Sequence, residues 1–215
     1  QAWFFIIVNT ENLLLPRSTN PSPEFRPRPR QETDMHRLLE KLSRDHVNLE
    51  RILDLLSLQL DHFCAGRESN FDLKCELLEY IETYADQGHH PLEDLIYDTA
   101  AQRHEERHEL FERLHSQHQG LTQLTRRFRQ SLQNILQGGV MTREELETEG
   151  REFVALQRQH LNLEEQEAFP LLEQILTEDD WKYIAANMPQ HEDPVFDRPD
   201  QVRFHNLFEY LEQAD

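Results

Sequence analysis

The stretch at residues 153–172, FVALQRQHLNLEEQEAFPLL, constrains the fold more than any other. Phe153, Leu156, His160, Leu163 or Glu164, Glu167 and Leu171 recur at steps of three and four, the period of one buried helix face. His160 and Glu164 therefore fall where an apolar stripe should run. Burying an unpaired carboxylate is costly or shifts its pKa far upward, and a metal ion held by both side chains removes that cost. The HxxxE spacing on a core-facing helix thus reads as a ligand pair. Alone it is a weak sign, because histidine and glutamate one turn apart are also common on solvated faces.

Other segments carry the same kind of pattern. A first helix is expected from about 34, capped by Asp34 or Thr33, to about 64, before Gly66. Leu39, Leu42, His46, Leu49, Leu53, Leu56, Leu60 and Phe63 form a seam of the sort that bundles bury, and His46 holds one of its positions. His36 and His62 lie off that seam, on a solvated face. A second helix from Phe71 or Asp72 carries Leu73, Leu77, Tyr80 or Ile81, and Tyr84, and Gly88 and Pro91 should interrupt or kink it. Across the kink His89 and Glu93 repeat HxxxE. His90 and Asp94 offer the same spacing one residue on, and the flanking Leu92 and Ile96 favour the first pair.

A third helix, about 105–137, stops at Gly138 and Gly139. It places His118 in a seam with Phe111, Leu114, Leu121, Thr125, Phe128, Leu132 and Ile135, and leaves His104, His108 and His115 on a solvated face. A fourth runs from about Thr142, where TREE resembles a capping box, to about Leu176, and a shorter fifth follows Thr177 through Trp181 and Ile184. The segment VRFHNLFEYLEQ near the C-terminus is apolar at helical spacing and suited to packing across the bundle.

Residues 1–34 differ from all of this. WFFIIV is apolar but too short to span a bilayer and has no basic residues ahead of it, and the Pro- and Arg-rich stretch that follows should be extended. The segment reads as an N-terminal arm, either non-native to the domain or a genuine arm whose apolar end docks on a neighbour. The expected organisation is all-α: an up-and-down antiparallel four-helix bundle over 35–176, then a short extra helix and C-terminal tail over 177–215. Helix formers dominate and only 6 glycines are present, in keeping with that class. The net charge of −19 argues against nucleic acid and against an anionic membrane surface as partners. Cys64 and Cys75 make no CxxC motif and read as reduced thiols of a cytoplasmic protein.

The candidate ligands form an internal repeat. His46 and His118 stand 72 residues apart, and His89–His160 and Glu93–Glu164 each 71. DHVNLERIL resembles QHQGLTQLT, each with leucine three residues after the histidine. Each half thus supplies one helix with a seam histidine and one with HxxxE, so two halves packed antiparallel bring four histidines and two glutamates into one core. Imidazole and carboxylate without thiolate suit Fe, Mn or Zn rather than Cu(I) or an iron–sulfur cluster. Six side chains exceed the needs of one tetrahedral zinc and fit two metals bridged by the two glutamates, with coordination positions left open.

The set DHVNLERIL, HHPLED, HSQHQGL and HLNLEEQEAFPLL resembles the hemerythrin family, specifically the bacterial hemerythrin-like domains with the HHE pattern, over about residues 35–176. The resemblance implies a non-haem, oxo- or hydroxo-bridged di-iron site with His46, His89, His118 and His160 as terminal ligands and Glu93 and Glu164 as bridges. One departure stands out. Leu114 occupies the place of a second histidine on the third helix of the oxygen-carrying relatives, which speaks against five-histidine stoichiometry and simple oxygen carriage. The leading expectation is a protein that binds or senses O2, NO or iron itself, with a homodimer as one form it could take. The alternative is an oxidase, peroxidase or NO reductase using the same metals, with Tyr80, Tyr84 and Tyr97 as candidate proton donors. A purely structural bundle with satisfied core histidines is the third reading.

Overall fold

The computed structural model describes residues 36–67, 69–103 and 108–214. The arm expected at 1–34 and His104 lie outside the described residues. The elements are α1 (Arg37–Cys64), α2 (Phe71–Tyr80), a π-helical segment (Ile81–His89), α3 (His90–Ala101), α4 (His108–Leu136), α5 (Arg143–Leu163), a second π-helical segment (Glu164–Ala168), α6 (Phe169–Ile175), α7 (Glu178–Asn187) and α8 (His205–Ala214). The chain passes from α2 through the first π segment into α3 without a break, and from α5 through the second into α6. Four long helices result, and they form an up-and-down antiparallel bundle in which α1 packs along α5, α4 against α2, and α4 against α5.

Local chemistry sets the helix ends. Thr142 Oγ1 accepts from Glu145 N at 3.2 Å while Glu145 Oε2 accepts from Thr142 N at 2.8 Å, closing the capping box ahead of α5. Thr177 and Asp180 repeat the exchange ahead of α7 at 3.3 and 3.0 Å. Gly138 ends α4 with φ +88°, a backbone that side-chain-bearing residues rarely adopt, and Gly139 N donates to Asn134 O at 2.8 Å. The start of α1 differs from expectation. Its N-cap is His36, whose Nδ1 accepts from Leu38 N at 3.3 Å and whose ring stacks on Trp181 at 4.1 Å, so this histidine is tied down rather than free on a solvated face.

Gly88 and Pro91 do not interrupt the second helix. The π-helical turn shifts the hydrogen-bond register so that Pro91 falls in the first turn of α3, where its missing N–H is tolerated, and Pro170 follows the second π segment into α6 in the same way.

Two apolar clusters fill the bundle. One joins Leu49–Leu60 of α1 to Leu73–Leu78 of α2, Phe128 and Leu132 of α4, Phe153 of α5, and Phe204 and Leu207 near the C-terminus. The other joins Leu39 and Leu42 of α1 to Ile96 and Tyr97 of α3, Phe111 and Leu114 of α4, Phe169 and Leu172 of α6, and Trp181 and Ile184 of α7. Each such buried aliphatic or aromatic side chain stabilises by about 1.5–3 kcal/mol. His46 lies between Leu42 and Leu49 in the chain, and the polar layer it belongs to separates the two clusters. The tail is anchored as well: Glu76 of α2 accepts from Leu207 N at 2.9 Å, capping α8. Among the described residues no helix is long and apolar enough to cross a membrane.

Candidate metal centre

The structure brings all six expected residues together. His46 comes from α1, His89 from the end of the first π segment, Glu93 from α3, His118 from α4, His160 from α5 and Glu164 from the start of the second π segment, and every one is buried. The stripe on α5 and α6 is not the expected one. Phe153, Gln157, His160, Glu164, Ala168 and Leu172 face inward, whereas Leu156 is 36% exposed, Glu167 is exposed and Leu171 is only half-buried. The π turn at Glu164–Ala168 inserts an extra residue into the period, so positions beyond Glu164 rotate by one.

Both glutamates span the centre. Glu93 Oε1 lies 3.3 Å from His46 Nε2 and 3.2 Å from His89 Nε2, while its Oε2 lies 3.5 Å from His118 Nε2. Glu164 Oε2 lies 3.4 Å from His46 Nε2 and 3.2 Å from His160 Nε2, and its Oε1 lies 3.3 Å from His118 Nε2. Donors sharing one ion at about 2.0–2.2 Å, at angles of roughly 90–110°, stand about 3.0–3.5 Å apart. The observed spacings match that figure. Both oxygens of Glu93, Glu164 Oε2 and His160 Nε2 are buried with no hydrogen-bond partner, so these atoms converge on a place where a cation would satisfy them.

Each of these histidines is backed by an acceptor at its other nitrogen. Nδ1 of His46 meets Glu165 Oε1 at 2.8 Å, that of His89 meets Asp45 Oδ2 at 3.3 Å, that of His118 meets Asp94 Oδ1 at 2.6 Å, and that of His160 meets Gln117 Oε1 at 3.1 Å. A carboxylate or amide oxygen only accepts, so Nδ1 carries a proton and Nε2 is left to face the glutamates. Tyr97 donates its hydroxyl to Glu164 Oε1 at 2.7 Å. Tyr80 instead donates to Asp193 Oδ2 at 2.8 Å, and the Tyr84 hydroxyl accepts from Lys41 Nζ at 3.1 Å, so of the three tyrosines named from sequence Tyr97 is bonded to a glutamate of the centre.

Without a cation the two buried carboxylates need positive charge from imidazoles. Burial pushes His46 down, but its hydrogen bond to Glu165 and the nearby charges of Glu93 and Glu164 outweigh that and raise it to about 10. His160 faces a neutral amide at Nδ1. Burial, opposed by Glu164 and assisted by His118 and His90, lowers it to about 3.

Sequence reasoning had to choose between the His89/Glu93 and His90/Asp94 registers, and the structure uses parts of both. Glu93 is four residues after His89 and three after His90, so both rings lie one turn from it on adjoining stripes. His90 is buried, stacks on His118 with ring centroids 4.3 Å apart and 11° between planes, and joins Glu93, His118 and His160 in a set whose candidate ligand atoms lie within 4.8 Å of one another. A second set, His46, His89 and Glu93, meets the same limit and shares Glu93 with the first. Asp94 is no member of either set. It receives both His118 and His115, the latter at 2.8 Å, which leaves His115 half-buried rather than solvated.

A four-helix bundle with two buried, carboxylate-linked histidine sets defines a class of protein whose core can hold metal cations. Neither cysteine belongs to the sets, so the donors are nitrogen and oxygen. The chain belongs to the hemerythrin HHE cation-binding domain family, whose model matches residues 37–172. No curated protein and no solved structure matches it.

Proposed function

We propose that the chain is a non-haem di-iron protein that binds or senses O2, NO or iron itself. The observation that carries this reading is the sharing of Glu93 by two donor sets while Glu164 reaches histidines of both, which is the arrangement that two neighbouring cations require. Imidazole with carboxylate suits iron, and the same donors would also accept zinc or manganese. An iron pair would supply an open coordination position for a small diatomic molecule and a change of redox state at the metals.

The protein's own residues account for the rest. Asp45, Asp94, Glu165 and Gln117 hold the Nδ1 protons and fix the rings. Leu42 and Phe169 on one side and Leu49 and Leu161 on the other belong to the apolar clusters that exclude water from the layer. Tyr97 holds its hydroxyl oxygen 2.7 Å from Glu164 Oε1 and donates its proton there, and this contact favours one second reading, an enzyme of oxidase, peroxidase or NO reductase type at the same site.

Metal analysis of protein purified without chelators, with an absorption spectrum on the same sample, tests the proposal. Two irons per chain and a reversible spectral change with O2 or NO on the reduced protein are the expected outcome. No iron after expression in iron-rich medium, or a single zinc, overturns it. Many turnovers of H2O2 or NO per site would move the protein to the enzyme reading.

A further inference from the structure

His90 is a buried histidine that neither the repeat nor the six-ligand reading uses. Both its ring nitrogens are buried with no hydrogen-bond partner, in a residue 2% exposed. A buried imidazole with nothing to bond is costly, and the fold does not demand one here. The residue 71 positions on, in the second half, is Leu161, which packs into the apolar core.

The surroundings of His90 repeat those of the other four histidines. Its Nδ1 lies 3.4 Å from Asp86 Oδ1, just beyond a good hydrogen bond, as the Nδ1 atoms of His46, His89, His118 and His160 lie against Glu165, Asp45, Asp94 and Gln117. Both Asp86 oxygens are themselves buried without a partner. Asp86 precedes His90 by one turn and among the described residues pairs with no other cation, so a bare carboxylate and a bare imidazole face each other in the core. A cation on the far nitrogen of His90 would make its Nδ1–H a better donor and draw Asp86 into a full hydrogen bond.

We propose that His90 is a metal donor, with Asp86 as its positioning residue. On this assignment His90, His118 and His160 with Glu93 hold one cation, and His46 and His89 with the same Glu93 hold the other, so the two metals are bound unequally. The fifth imidazole comes from the second helix of the bundle, next to His89 in sequence, whereas Leu114 fills the third-helix place. The assignment rests on the two-cation reading above.

The test uses the full chain loaded with iron-57. The wild type should give two distinct Mössbauer doublets of equal area, because one iron has three imidazoles and the other two. His90→Leu, which copies Leu161, should lose one iron or release it to a chelator at least about tenfold more readily, and Asp86→Asn should weaken retention in the same direction by about tenfold or less. His90→Leu with two irons, wild-type chelator competition and an unchanged Mössbauer spectrum overturns the assignment and leaves the two-cation reading standing. Fewer than two irons in the wild type overturns both. Should His90→Leu not fold, X-ray absorption of the wild type decides: five imidazoles per pair support the assignment and four overturn it.

Discussion

The first half of the bundle, α1 with α2 and α3, and the second, α4 with α5 and α6, carry matched seam histidines and matched HxxxE pairs, and each has a proline after a π-helical turn, though Pro91 precedes Glu93 and Pro170 follows Glu164; their supporting residues differ in charge. The first half supplies Asp45, Asp86 and Asp94 around the histidines, and the second supplies Glu165 and the neutral Gln117. It also has His90 where the second half has Leu161, and a buried Lys74 where the second has the exposed capping residue Glu145. The comparison teaches that quasi-symmetry extends one layer past the atoms that would touch a cation, since Asp45 and Gln117 stand 72 residues apart and Asp94 and Glu165 71, each backing the matching histidine, and it is the charge at the Asp45/Gln117 position that diverges. Charge in the next layer of residues is free to diverge, because it tunes each ring separately and need not repeat.

Four substitutions test how deep the symmetry goes. Glu93→Ala and Glu164→Ala should each abolish retention of a metal pair and lower the stability of protein prepared with metal by about 3–5 kcal/mol, since one carboxylate is left where two cations need both. Calorimetry with metal analysis reads this, and a variant that keeps both metals would break the equivalence of the two carboxylates. Asp94→Asn should weaken metal retention by about 10–100-fold in chelator competition, while Gln117→Ala should cost less, because a neutral amide polarises its imidazole less than a carboxylate does. Equal losses would erase the contrast between the halves.

Lys74 sharpens the comparison through pH. Burial lowers its ammonium to about 8 from 10.5. Below pH 8 the lysine is charged in both folded and unfolded chains, and the folded state bears the full cost of the buried charge. Between 8 and 10.5 the unfolded chain binds more protons, so wild-type stability rises with pH and the cost disappears. Lys74→Met should therefore be more stable than wild type by about 1–3 kcal/mol at pH 7, with the advantage gone by pH 10.5 in denaturant titrations. An advantage that did not change with pH would remove the lysine's charge from the account. The smallest effect is expected at the two outer latches. Arg129 of α4 bridges Glu79 and Glu82 beside α2, and Arg158 of α5 bridges Glu50 and Asp54 of α1. Arg158→Met, the more exposed, should cost under about 1 kcal/mol and Arg129→Met somewhat more.

The sequence carried the seam of α1 nearly residue by residue. Leu39, Leu42, His46, Leu49, Leu53, Leu56 and Leu60 are all buried, because a regular α-helix keeps its period and the core reads it faithfully. The capping box at Thr142 was equally legible, since it is a purely local exchange of hydrogen bonds, and Thr177 was legible as the residue that the fifth helix follows. The stripe past Glu164 was not. A π turn has no residue signature of its own, and one inserted residue moves Glu167 and Leu171 away from the core while bringing in Ala168 and Leu172. His90 escaped for a related reason. A period of 3.6 residues suggests one stripe through either His89 or His90, and only the assembled bundle shows that the centre is wide enough to use two adjoining stripes. Asp193 lies far along the chain from Tyr80, and nothing local signals that its carboxylate, pushed up by burial, will accept from that hydroxyl and from the backbone of Val195 and Phe196.

The polar layer between the two apolar clusters bears on how the chain reaches this state. Its residues run from His46 to Glu164, so no contiguous segment holds more than one corner of it, and the pocket exists only once all four long helices have closed. Early collapse should begin in the flanking apolar clusters, where contacts form without neutralising buried carboxylates, and the layer should be last to assemble. On that order a cation would act as a final rivet rather than a template, meeting a finished bundle and, by binding the closed form alone, slowing its opening.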